Sequence, residues 1–215
     1  MALQIKYRKA PAETAPPDWV MPSGACQVTL TDYTPDSRVR HVWFAPACIR
    51  SIHQWVLDSR QDFLVPETGG FLLGQYQAAD TQYDLAIHTF MPGQAPAYSS
   101  PNRLEFGQGD LLALDQLLQA SPALRLIGWF HTHPGHTPYL SETDLILHDR
   151  FFREPYQVAL VLDCLTHQFD SCLLARTHAG RMNNVTPAMP LIGWNELFAP
   201  CLTSPSDHLP LRSAS

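Results

Sequence analysis

The chain predicts an α/β sandwich, a curved mixed sheet lying between helices, and three observations predict it. Strand-like and helix-like apolar patterns are mixed along the chain rather than segregated. Leu126–His133 and Tyr156–Leu162 read as buried strands, and turn residues bound each of them. The length of 215 residues and the hydrophobic content of 45% suit one soluble domain with a sizeable core and appendages at its ends.

Taken in order, residues 1–24 carry Pro11, Pro16, Pro17 and Pro22 with few large apolar residues beyond Trp19 and Val20, and read as a loose arm. Cys26–Tyr33 alternates as a short strand should, and Arg40–Phe44 suits another. Pro46 fits a first helical turn, and Ile49, Ile52 and Val56 recur at helical spacing, so a helix is expected from Pro46 to Arg60. Gly69–Gln77 and Tyr83–Phe90 are successive strands joined by a polar turn. Met91–Asn102, with Pro92, Gly93, Pro96 and Pro101, is expected to be irregular. Asp110 is the expected N-cap of a helix running to Ala120 with Leu111, Leu114, Leu117 and Leu118 on one face.

After the buried strand at Leu126, a helix is expected over Asp144–Phe152, followed by Tyr156–Leu162 pairing with Phe169–Arg176. Beyond Arg181 the chain turns proline-rich, with Trp194, Leu197 and Phe198 as a short amphipathic piece. The division that follows is a flexible N-terminal arm over 1–35, a globular domain over 36–185 and a Pro-rich C-terminal extension over 186–215.

Bulk properties narrow the function classes. A net charge of −6 without a Lys/Arg cluster argues against a nucleic-acid partner. No apolar run approaches ~18 residues and the first residues lack an apolar h-region, so neither a membrane span nor a signal peptide is expected. Cys26, Cys48, Cys164, Cys172 and Cys201 are odd in number and lack C-x-x-C spacing, which fits reduced thiols in a cytoplasm.

The chemistry concentrates in Leu126–Asp144, LIGWFHTHPGHTPYLSETD. His131 and His133 stand two apart on a strand and therefore point the same way. Pro134, Gly135 and Pro138 force a turn, and a helix starting near Ser141 places Asp144 in its first turn. Two imidazoles and a returning carboxylate make three ligands, the count of a catalytic zinc with its fourth position left for water. Ser141 with Asp144 three later is equally an N-terminal capping pattern. In that reading Asp144 cannot serve fully as both cap partner and ligand. Among the neighbours, Trp129 and Phe130 read as core, Thr132 points away from the metal, His136 reads as solvated loop or a substrate contact, and His148 as a surface histidine or a residue behind the ligands. Cys164 and Cys172 read as buried thiols flanking a hairpin. Met91–Arg103 is either a substrate-lining loop or a loop without function.

The series H-x-H, seven residues, S-x-x-D resembles the signature of the JAMM (MPN+) metalloproteases, and Pro66-Glu67-Thr68-Gly69-Gly70-Phe71-Leu72-Leu73-Gly74 resembles that family's glutamate and glycine-rich strand. The likeness runs from about His41 to Val185 and leaves out the ends of the chain. It implies the MPN (cytidine-deaminase-like) sandwich, with 36–185 as the JAMM/MPN catalytic domain. It implies one catalytic Zn2+ on His131, His133 and Asp144, with Glu67 as the base that activates the zinc-bound water and Ser141 as donor to the oxyanion. It also implies a ubiquitin-like protein and its conjugates as partners: the enzyme would remove that modifier from a target or trim its precursor. The compact chain looks more like bacterial members, often encoded in one operon with activating and conjugating enzymes, some in antiphage (antiviral) defence. A JAMM hydrolase of a small peptide or sulfur-carrier protein would share the same centre. A non-catalytic MPN scaffold would usually lack one or more of the five residues, and here all five are present.

Overall fold

The computed structural model describes residues 18–60, 65–94, 98–101, 103–167, 169–182 and 192–202. Cys26–Thr29 forms β1, with Val28 turned into the core between less buried neighbours. After a 3-10 turn at Leu30–Asp32, Val39–Phe44 forms β2. Pro46 occupies the first turn of α1 (Pro46–Ser59), where its missing N–H costs nothing, and Cys48, Ile49, Ile52 and Val56 form its buried stripe. Gly69–Ala79 (β3) and Gln82–Pro92 (β4) make a long antiparallel hairpin.

Two expectations fail in the next stretch. Met91–Asn102 is not wholly irregular, because β4 runs to Pro92 and Tyr98–Ser100 (β5) pairs with Arg103–Glu105 (β6) as a two-stranded ribbon. Helix α2 spans Gln108–Ala120, and its N-cap is Gly107 rather than Asp110. Asp110 sits three residues in and reaches back to accept the N–H of Gly107 at 3.2 Å and that of Gln94 at 2.9 Å. A first-turn carboxylate satisfies orphan donors from inside the helix as well as a cap does.

Arg125–Thr132 (β7), Glu142–Phe151 (α3), Val158–Leu162 (β8) and Asp170–Ala175 (β9) follow as expected within a few residues, and Ile192–Gly193 (β10), Trp194–Leu197 (α4) and Ala199–Leu202 (α5) end the described chain. The main sheet has the order β1-β2-β4-β3-β7-β8-β9-β10. The β2–β4 and β7–β8 pairs are parallel and the others antiparallel, so the sheet is mixed.

Helices cover both faces. One core gathers α1 with Leu72, Phe130, Leu160, Trp194 and Phe198. The other gathers Leu114 of α2 and Leu147 of α3 with Phe71, Trp129, Ala159 and Val161. A bulge sets which β7 residues face α3: Leu72 pairs Gly128 while Leu73 pairs Leu126. Ile127 and Trp129 consequently lie in opposite cores although they are two apart.

The ends are more engaged than the division at 35 and 186 anticipates. β1 joins the sheet, and Trp194 and Phe198 are buried against α1 and the sheet. Residues 1–17 and 203–215 lie outside the described residues. Cys26 and Cys201 are joined in a disulfide, which corrects the expectation that all five cysteines are reduced. The physical reason is topological: β1 and α5, at opposite ends of the chain, pack in one core. Cys48, Cys164 and Cys172 are buried and stand outside that disulfide. Among the described residues no helix is long and apolar enough to cross a membrane.

Candidate metal centre

Close strand approach builds the floor of the site. Gly69 lies opposite His131 across β3–β7, and a methyl group at Gly69 would overlap the carbonyl oxygen of Phe130 and crowd the Leu104 side chain. Glycine is required there if the residues just before β3 are to stand beside the histidines. Glu67 precedes β3 and is held by the ribbon: its N–H donates to the Ser100 carbonyl at 2.8 Å, and the Ser99 hydroxyl donates to the Glu67 carbonyl at 2.8 Å. Its neighbour Thr68 pairs with Thr132 from both directions, Thr132 N–H to Thr68 O at 2.8 Å and Thr68 N–H to Thr132 Oγ1 at 3.0 Å. Thr132 thus turns away from the histidines, as expected, and locks the base of Glu67.

His131 lies in β7, and His133 continues its pairing by donating a backbone N–H to the Leu162 carbonyl at 2.7 Å. Both imidazoles therefore project to the α3 face and both are buried. Ser141 is the N-cap of α3: its hydroxyl accepts the N–H of Asp144 at 3.2 Å, while Asp144 Oδ2 accepts the Ser141 N–H at 2.8 Å and hydroxyl at 2.6 Å. That same Oδ2 stands 3.5 Å from both His131 Nε2 and His133 Nε2. The oxygen that takes both Ser141 donors is therefore also the one that faces the two imidazoles.

The donor set fits a small dication. His131 Nε2, His133 Nε2 and Asp144 Oδ2 form a triangle with edges of 3.0, 3.5 and 3.5 Å. Ligands about 2.0–2.1 Å from a tetrahedral ion lie about 3.3–3.4 Å from one another, so the triangle has the dimensions of one tetrahedral face. Three buried lone pairs converging at this range need a cation or proton between them.

The electrostatics agree. Burial alone would push the Asp144 carboxyl up, but hydrogen bonds from the two imidazoles and Ser141 outweigh it and hold it below the usual carboxylate range. Burial depresses His131. Burial acts the same way on His133, but its bonds to Asp144 and the Thr137 carbonyl raise it overall.

Glu67 faces the triangle with Oε1 3.9 Å from His133 Nε2. Its other oxygen is buried without a hydrogen-bond partner among the described residues. Burial, more than any charge, pushes this carboxyl up from 4.5 to about 7, with Asp144 adding to the rise and His133 opposing it. It is the one acid here poised to hold or release a proton near neutrality.

Four of the five residues singled out from sequence therefore converge within 4 Å of a neighbour in the set, and Ser141 touches the fourth of them, Asp144. His136 is exposed on the loop and is not drawn in. Three further residues support the set: Trp129, core as expected, His148, the residue behind the ligands rather than the surface histidine, and Asp163, which sequence reasoning does not reach. Trp129 stacks on His131 with ring centroids 4.3 Å apart and planes 8° from parallel. His148, far from being a surface residue, is fully buried and accepts the Trp129 indole N–H at 3.0 Å. Burial and the nearby Arg176 press its pKa down to about 3, so it stays a neutral acceptor. Asp163 accepts the N–H groups of Gly135 and Thr137 in the motif loop. An aspartate ending a buried strand was the available signal for it.

No curated protein matches the chain. Among solved structures, the solution structure of protein DSY2949 from Desulfitobacterium hafniense is similar at 16% identity over 61% of this chain and 83% of that one, with a TM-score of 0.46. Residues 50–169 match the family model described as prokaryotic homologs of the JAB domain, a span that holds Glu67, His131, His133, Ser141 and Asp144. With more than half of its length inside that model, the chain belongs to the prokaryotic JAB family, of the JAMM/MPN type.

Proposed function

We propose that the protein is a zinc-dependent isopeptidase or peptidase that releases a ubiquitin-like modifier from a target or processes its C-terminal precursor. The observation that carries the reading is Glu67: a buried carboxylate with one unpartnered oxygen, raised to about 7, beside a triangle of metal-type donors. His131, His133 and Asp144 would hold the ion. When bound, zinc supplies Lewis acidity toward a carbonyl and lowers the pKa of water at its open position to about 7.

The chain's residues do the rest. Glu67, within reach of the donor triangle and with one oxygen unpartnered among the described residues, accepts a proton from the attacking water and returns it to the departing amine. Ser141 acts as oxyanion donor by turning its hydroxyl from Asp144 Oδ2 toward the substrate, and its capping bond from Asp144 N–H survives that rotation. Burial around the histidines excludes competing solvent and strengthens each charge interaction. For an extended tail, the β5–β6 ribbon, which holds the Glu67 backbone through Ser99 and Ser100 of β5, would offer its β6 edge for strand pairing.

Support for the modifier as substrate comes from membership in the JAMM/MPN type. A small peptide or a sulfur-carrier protein would meet the same centre. The test is Glu67→Ala assayed on a panel of modifier–target fusions, linear precursors and short peptides. Zinc should remain bound while cleavage of the modifier substrates is lost. Retained turnover removes Glu67 from the mechanism, and a wild type that cleaves only short peptides replaces the modifier reading with the peptide one.

A further inference from the structure

At the end of β8, Asp163 is buried, 3% exposed, and its carboxylate is spent on backbone N–H groups. Oδ1 accepts from Gly135 at 2.9 Å and Leu165 at 3.0 Å, and Oδ2 accepts from Thr137 at 3.2 Å. Two of those donors lie in the turn that follows the H-x-H pair. Gly135 takes φ 77°, natural for glycine, but Thr137 takes φ 60°, which a β-branched residue adopts only when its surroundings impose it. So held, Thr137 aims its carbonyl at His133, 2.9 Å from Nδ1. A carbonyl has no proton to give, so His133 Nδ1 carries the hydrogen.

We propose that Asp163 is a positioning residue of the metal centre: acting through the strained Thr137, it fixes the tautomer of His133 so that Nε2 presents a bare lone pair to the ion. The proposal rests on reading His131, His133 and Asp144 as ligands. Parallel pairing of β7 with β8 makes the arrangement possible, because it brings the ends of both strands to one edge, Thr132 opposite Leu162. The two imidazoles are thereby oriented by different means. His133 is steered by a hydrogen bond that traces to Asp163. His131, whose Nδ1 has no partner among the described residues, is steered by the flat stack on Trp129. Only His133 should respond to a change at Asp163.

The experiment measures zinc affinity, by competition with a chromophoric chelator, for the wild type, Asp163→Asn and Asp163→Glu. Alongside it, nitrogen–proton NMR of the imidazoles is recorded in metal-free protein above the titration of His133 and in zinc-loaded protein. The wild type should show a slowly exchanging His133 proton on Nδ1 in both states. Both variants should bind zinc ten- to a hundredfold more weakly. They should also exchange that proton faster, while the β-sheet amide resonances and the His131 signals stay in place. A wild-type His133 proton on Nε2 overturns the proposal, even if neither variant folds. Variants that bind zinc as tightly as the wild type overturn it too. Failure of the underlying metal reading is distinct: the wild type itself would then take up no zinc.

Discussion

Glu67→Gln should stabilise the metal-free protein, and only above mildly acidic pH. The carboxyl ionises at about 7 in the fold against an ordinary value of 4.5. The folded state therefore binds this proton more tightly than the unfolded chain does, and ionisation opposes folding. The penalty is absent below about pH 4.5, grows through the interval and is complete above about pH 7. A gap of two and a half pKa units corresponds to about 3 kcal/mol. Glutamine has the same shape and no charge to desolvate. For a domain of this size the gain translates to roughly 6–12 °C in Tm at pH 8.5, with little change at pH 4.5. Thermal unfolding in the presence of chelator, followed by circular dichroism across that range, measures it. With zinc bound the gain should shrink, since a nearby dication stabilises the carboxylate. A variant less stable than wild type at pH 8.5, or one equally stabilised at both pH values, would refute the claim that Glu67 is kept buried at the expense of stability.

Other perturbations separate the roles of the remaining residues. Asp144→Ala should abolish zinc uptake, and full occupancy in a metal assay would contradict its place as a ligand. Ser141→Ala should lose about 0.5–2 kcal/mol of stability as a cap; as oxyanion donor it should also lose about 10²–10³ in kcat with little change in KM. An intact kcat leaves Ser141 as a cap alone. Gly69→Ala should cost about 1–3 kcal/mol in denaturant unfolding, because the added methyl meets backbone rather than a yielding side chain. Reducing the Cys26–Cys201 bond, which spans 175 residues, should lower stability by about 2–5 kcal/mol, and a melting temperature indifferent to reductant would count against the bond.

The readable part of this molecule was its local part. His131, His133, Ser141 and Asp144 fall within fourteen consecutive positions, and strand alternation plus a forced turn suffice to bring them together. Strand order is what sequence patterning lacks. Asp163 reaches Thr137 only because β8 lies parallel beside β7, and His148 is buried only because α3 turns its inner face toward Trp129. Glu67 illustrates an intermediate case. From its neighbours alone it is a loop acid after a proline, and its importance came through the likeness of the surrounding glycine-rich stretch. What holds it is the Tyr98–Glu105 ribbon, hidden inside a segment whose prolines argued for irregularity. The paired cysteines were missed for the same reason of distance: nothing local in Cys26 or Cys201 announces a partner at the other end of the chain.

Metal content and coordination test the central claim most directly. Protein purified without chelator, or stripped and reloaded, should hold one equivalent of zinc per chain. X-ray absorption should find nitrogen and oxygen neighbours at about 2.0–2.1 Å, including two imidazoles, with no sulfur. Folded protein that carries no divalent ion and accepts none from a zinc titration would contradict the account.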